Sequence, residues 1–259
     1  MRGIPTFTGF WAYDLFGYLL PGSLVLAAVG KFNRLGHDLI ASRWGSGRIQ
    51  DVALLVGLAY FLGHLVAALS SLVLEKAILR KVLGYPTSRM FPNQAEKTPG
   101  WWRRKFHRVR RFLFPGYFRD YTEQFRRVLD RHFFATFGFD ASDDHDRFWL
   151  IWEWVSLHHA VAHRRATHFL DLYGFSRNTS LACLAIALLP LTPGADCPLP
   201  RVPWSVGWSL AAFVLFSNYT KLMRRMDDEV YRAFVAASCS ADPTATGNGA
   251  SGSSSASSL

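Results

Sequence analysis

Charge is scarce along much of this sequence. Asp, Glu, Lys and Arg make up 19% of the 259 residues, against about 25% in an average soluble domain, and the shortfall is concentrated in four windows. Cysteine is scarce too. Cys183, Cys197 and Cys239 are the only three, too few for a disulfide framework. Common catalytic signatures are missing: there is no G-x-x-x-x-G-K-[ST], no G-x-S-x-G and no H-E-x-x-H. Strand-like alternation does not persist anywhere and no internal repeat is visible, so the chain reads as all-α.

The charge-poor windows are what is there instead. Val52 to Leu74, VALLVGLAYFLGHLVAALSSLVL, has His64 as its only titratable side chain besides Tyr60. As a helix it is about 34 Å long, enough to cross a hydrocarbon core of about 30 Å. The stretch YDLFGYLLPGSLVLAAVG, Tyr13 to Gly30, carries one acid, Asp14, and then no charge. Asp14 and the central Pro21-Gly22 fit a signal peptide poorly, so a span is expected over about 9–30. Pro21 removes a backbone donor and kinks the span, and neighbouring helices can satisfy the carbonyl it frees. NTSLACLAIALLPLTPGA and VPWSVGWSLAAFVLFSNYT, separated by DCPLPR, read as a second membrane hairpin with spans at about 179–193 and 203–220.

Basic residues favour the cytoplasmic side of a membrane. With the N-terminus inside, twelve lie on the inner loops and flanks and five on the outer ones. This predicts four spans with both termini cytoplasmic. Residues 1–74 form an N-terminal membrane hairpin, 75–178 an all-α cytoplasmic domain inserted between spans two and three, and 179–220 a C-terminal membrane hairpin. An amphipathic helix over 221–239 and a disordered low-complexity tail over 240–259 follow.

The inserted segment holds 19 Lys and Arg against 11 Asp and Glu. Its first helix is read in WWRRKFHRVRRFLF, where Trp102, Phe106, Val109 and Leu113 share a face. Arg103, Arg104, Lys105, Arg108, Arg110 and Arg111 crowd the rest. Beside membrane spans this pattern suits an anionic inner leaflet, worth about 1 kcal/mol per basic residue; nucleic acid is the less favoured partner. A second helix is expected over 118–137. A third runs from about Asp143 to Leu172, with Ser142 as its N-cap. Leu222, Met226, Val230 and Phe234 recur every four residues, a seam for these cytoplasmic helices or for a second subunit.

Three constellations invite chemistry. His159 and His163, four apart on the third helix, can face one metal ion. They resemble one histidine box of the membrane fatty-acid desaturases and hydroxylases, although the paired H-x-x-H-H boxes of that family are absent. Arg164 and Arg165 oppose a cation there, and no cofactor is expected. Asp14 and His64 are intramembrane polar residues, a possible proton or ion path, or simple polar contacts with tyrosines. Ala59, Gly63, Ala67 and Ser71 form a small-residue stripe that lets another helix approach, from this chain or a second copy.

Asp14, Gly17, Tyr18, Pro21 and Gly22 spell D-x-x-G-Y-x-x-P-G. In this, and in its aromatic, basic helix after the last span, the chain resembles a group of uncharacterised bacterial multi-span inner-membrane proteins. The resemblance implies that location and no activity. The leading expectation is a non-enzymatic, oligomeric membrane scaffold or effector whose cytoplasmic domain binds a protein partner or a small anionic signal. The alternatives are a metal-dependent membrane enzyme on a lipid-like substrate, using His159 and His163, and a small transporter or channel using Asp14 and His64.

Overall fold

The computed structural model describes residues 14–32, 34–45, 48–83, 108–109, 111–114, 117–118, 120–139, 144–192 and 201–241. Helix is the only regular structure among them. Helix α1 comprises a π-helical turn, Leu15–Leu19, and an α-helix, Leu20–Phe32; α2 is Arg34–Trp44. Helix α3 is α-helical over Ile49–Ser70 and π-helical over Ser71–Leu83. Then come α4 (Glu123–Phe137), α5 (Asp144–His158), α6 (Ala160–Leu188, closed by a 3-10 turn at Leu189–Leu191) and α7 (Arg201–Ala241).

Three of these segments, Leu15–Phe32, Ile49–Leu79 and Ala160–Leu191, are long and apolar enough to cross a membrane. The expected fourth, over 203–220, lies inside α7 but is not among them. Trp204, Ser205, Gly207, Trp208, Ser209 and Asn218 dilute its hydropathy.

The apolar helices pack side by side in a consistent register. Helix α1 crosses α3 at backbone contact: a Cβ added to Gly22 would lie 1.8 Å from the Ala59 carbonyl oxygen, and one on Gly63 2.0 Å from that of Tyr18. Ala59, Gly63 and Ala67 are therefore buried beneath α1 within one chain. At one end of the bundle Phe32 of α1 meets Trp204 of α7 at 5.4 Å, with the Lys31 ammonium 5.0 Å from the same indole. Towards the other end Phe16 meets Phe175 at 6.4 Å, and the Asn218 amide donates to Ser176 Oγ at 3.0 Å. Helix α7 thus lies antiparallel to α6 along its apolar length.

Beyond that second end, α7 continues into an aromatic core. Met226, Val230, Tyr231 and Phe234 are buried against Leu129 and Phe133 of α4, Phe148, Ile151 and Val155 of α5, and Ala166 of α6. The four-residue seam read in 221–239 is occupied here by the chain's own helices; Leu222 is buried as well. A smaller cluster joins Leu79 and Leu83 of α3 to Phe114, Tyr117, Phe118, Tyr219 and Met223.

Two helices of the 75–178 segment differ from expectation. The second begins at Glu123 rather than 118, because Thr122 caps it by accepting the Phe125 N–H at 3.3 Å, and Phe118 is buried in the preceding turn. Its far end is closed by Gly138 in the left-handed region, φ 75°. The third does not run unbroken from 143 to 172. It breaks at His159, φ −133° and ψ 67°, and bends so sharply that the rings of Trp152 and His163 are 5.2 Å apart. Eleven residues of straight helix would separate them by about 16 Å. The bend lets α5 and α6 both pack on α7. Ser142 and Asp143 lie outside the described residues.

Candidate functional site

A polar seam crosses the bundle where α1, α3, α6 and α7 meet. Pro21 has no N–H, so the Gly17 carbonyl four residues back loses its helical partner. Asn178 of α6 takes that carbonyl, its Nδ2 donating to Gly17 O at 2.9 Å. Asn178 Oδ1 accepts from Ser70 Oγ of α3 at 2.6 Å and from Arg177 Nε at 3.3 Å. Asn178 and Ser70 are fully buried. Arg177 Nη1 reaches Glu75 Oε2 at 2.7 Å and the Tyr173 hydroxyl at 3.4 Å, and Ser71 Oγ donates to the same Glu75 oxygen at 3.3 Å. On the α7 side Ser180 donates to the Ala212 carbonyl at 2.8 Å. Both π-helical stretches border this seam. A π-turn widens a helix and commonly marks such a site.

The seam lies at one edge of the apolar slab. From Gly17 to Phe32, and from Asn218 back to Trp204, the helix rise is about 21–23 Å. In a bilayer the Arg177–Glu75 pair is then near the headgroups, where a charged pair is tolerable, and Asn178 just inside, where each polar group needs a partner. Loss of one partner of such a pair strands the other's charge.

Sequence reasoning missed Asn178, Ser70, Arg177 and Glu75 as a unit. The available signal was that S-S-L-V-L-E closes one apolar run and R-N-T-S opens another, so the polar ends of antiparallel helices meet.

The expected site residues fall elsewhere. His64 lies on the outer side of the α1–α3 contact, stacked on Tyr18 at 4.0 Å and edge-on to Tyr60 at 4.5 Å. No hydrogen bond or ion pair among the described residues joins it to Asp14, which sits at the start of α1. His159 is the N-cap of α6, with the His163 N–H donating to its carbonyl at 3.0 Å; its ring packs against Trp154 at 5.4 Å and that of His163 against Trp152 at 5.2 Å. Among the described residues no group of three or more His, Cys, Asp or Glu converges. His158 stacks on Trp154 at 4.5 Å and its Nδ1–H donates to the Trp154 carbonyl at 2.8 Å.

Of the basic helix, Arg103, Arg104, Lys105 and Arg110, with Trp102 and Phe106, lie outside the described residues. Arg108 and Arg111 are exposed, as is Phe112, at 84%. Phe114 anchors the end of this helix against Phe213 and Phe216 of α7, at 6.0 and 5.8 Å. An outward phenylalanine among arginines, beside one end of an apolar helix, is suited to a lipid surface.

Two further features lie in the half of the molecule built on the aromatic core. Arg224, Asp227 and Asp228 are carried inward on α7. The Tyr121 hydroxyl donates to Asp228 Oδ1 at 2.5 Å, and Arg224 lies 3.4 Å from that oxygen and over the Tyr121 ring. Asp227 is 2% exposed and its Oδ2 has no hydrogen-bond partner; burial pushes its carboxyl well above the usual carboxylate range, against the lowering effect of Arg224. At the His159 bend a groove of about 610 Å³ opens between the first turn of α6 and the last turns of α7. His158, His159, Arg165 and Arg232 line it above an alanine floor, with Glu229 paired to Arg165 at 3.4 Å. A groove of this size suits a small molecule, and its cationic rim beside a helix N-terminus suits an anionic one.

Comparison with known families, with curated proteins and with solved structures gives no match. The class that these observations define is an all-helical chain with three helices apolar enough to span a membrane.

Proposed function

We propose that the chain is a bacterial inner-membrane protein with four spans and both termini in the cytoplasm. It acts without catalysis, as a scaffold or effector whose inserted cytoplasmic domain receives a partner or a small anionic signal and relays it to the spans. The observation that carries this reading is helix continuity. Helices α6 and α7 each run without a break from the cytoplasmic aromatic core into the apolar bundle, so a displacement of one end moves the other.

The fourth span is supported by the two ends of α7. Trp204 lies beside Phe32 at the far end of α1, while Met226 to Phe234 pack on α4 and α5. Those helices precede the third apolar segment in the chain, so α7 has to return through the same slab. The basic helix, resting on anionic lipid, holds the domain against the inner leaflet. The groove between α6 and α7 is the receiving position, because an occupant there touches both relay helices. The bacterial location comes from the resemblance of the first span.

Filling the groove from within tests the relay. Ala233→Trp in the full chain in lipid nanodiscs is expected to alter backbone hydrogen exchange at the groove and also at 176–180 and 212–220. A change confined to the groove would contradict the effector reading.

A further inference from the structure

Helix α3 has a second face that the bundle leaves uncovered. Ala53, Gly57, Tyr60, His64 and Ala68 follow one another at steps of four, three, four and four, which keeps them on one side of a helix. All five are exposed. The flanking positions are large and apolar, Leu54, Val56, Phe61, Leu65 and Leu72 among them, as a lipid-facing surface requires. The face between them differs in two independent ways. At Gly57, among the described residues, nothing lies within 4 Å of the place a side chain would take, so a neighbouring backbone can come close. At its centre are two polar tips, the Tyr60 hydroxyl and the His64 ring nitrogens, neither hydrogen-bonded to a described residue.

His64 lies six residues from Ser70 of the polar seam, about 9 Å by helix rise, on the hydrocarbon side of it. A side chain in hydrocarbon is removed from water as fully as one in a protein core. An unmet N–H or hydroxyl there costs several kcal/mol, and intramembrane histidines accordingly face protein rather than lipid. Ring stacking on Tyr18 covers one face of the imidazole and bonds neither nitrogen.

We infer that this face is covered by the same face of a second copy. The inference rests on the membrane reading above. A two-fold axis along the membrane normal makes the patch self-complementary. Gly57 meets Gly57 of the other copy, and each Tyr60 hydroxyl reaches the His64 ring one turn along the other helix. Each such contact meets the Tyr60 hydroxyl and one His64 ring nitrogen, and the two-fold axis makes it twice. The small-residue stripe Ala59-Gly63-Ala67 is already covered by α1, so the dimer uses the adjacent, polar side of α3.

Disulfide trapping tests this in native membranes. In the full chain with Cys183, Cys197 and Cys239 replaced by serine, single substitutions Ala53→Cys, Gly57→Cys and Ala68→Cys are oxidised with copper phenanthroline. Leu55→Cys, Ala59→Cys and Val66→Cys, on the inward side, serve as controls. Covalent dimer is expected from the outward three at tenfold or more over the controls, and adding His64→Leu to Ala53→Cys is expected to cut its yield at least tenfold. Alkaline extraction of the same membranes separates the two ways of failing. A chain that resists extraction yet shows no outward preference overturns the dimer alone, as does a crosslink to a protein of another mass in its place. A chain that alkali releases overturns the membrane reading and the dimer with it.

Discussion

The residues that organise this molecule are polar ones in apolar places. Asn178 ties three helices, its own included, because Pro21, four residues beyond Gly17 in α1, frees the Gly17 carbonyl for it. Asp227 is the opposite case, a buried carboxyl whose Oδ2 has no hydrogen-bond partner. The unfolded chain releases that proton near pH 4, while the folded chain holds it to a higher pH because burial disfavours the anion. Between those two values the folded state binds more protons than the unfolded one, so this residue's contribution to stability falls as pH rises through that window. Asp227→Asn, neutral throughout, is expected to raise the apparent unfolding temperature more at pH 8 than at pH 5. The gain should be roughly 2–4 °C for each kcal/mol relieved in a chain of this size. Thermal scans of the detergent-solubilised protein at the two pH values check it; a gain that shrinks with pH would be contrary.

Helices α1 and α3 meet through glycine. Between apolar helices in lipid the hydrophobic effect is weak and close packing has to supply the attraction. Gly63 packs against the backbone of Tyr18, whereas Gly57 meets open space. Gly63→Ala is therefore expected to lower stability by about 1–3 kcal/mol, the usual cost of overpacking, and Gly57→Ala to change the fold's stability little. Paired thermal or denaturant melts measure both. Much at this scale was legible in the sequence. The apolar runs, the four-residue seam on α7 and the helical class can all be read from periodicity. The partner of each face could not. The stripe at Ala59, Gly63 and Ala67 left open whether α1 or another molecule covers it, since spacing encodes a face and not its occupant. The bend at His159 was hidden as well, because His-His-Ala carries no glycine or proline. At the break Trp152 packs on His163 and Trp154 on Phe234, contacts that only the tertiary fold supplies.

As a whole the molecule is an apolar bundle extended at one end by its own helices. Helices α3, α6 and α7 pass directly from one half into the other. On the relay reading proposed above, a signal enters at the groove at the distal end. The polar seam is then the fulcrum, since among the described residues it ties four helices by hydrogen bonds. All of this depends on α7 crossing the membrane despite its lower hydropathy. Cys197 and Cys239, near the two ends of α7, report on that crossing, with Cys183 buried at 3% exposure and so silent. In intact spheroplasts a membrane-impermeant maleimide is applied to the Cys239→Ser and Cys197→Ser variants. The account predicts that Cys197 is labelled at once from outside and Cys239 only after lysis. Labelling of both from outside, or of neither, would contradict four spans with a cytoplasmic C-terminus.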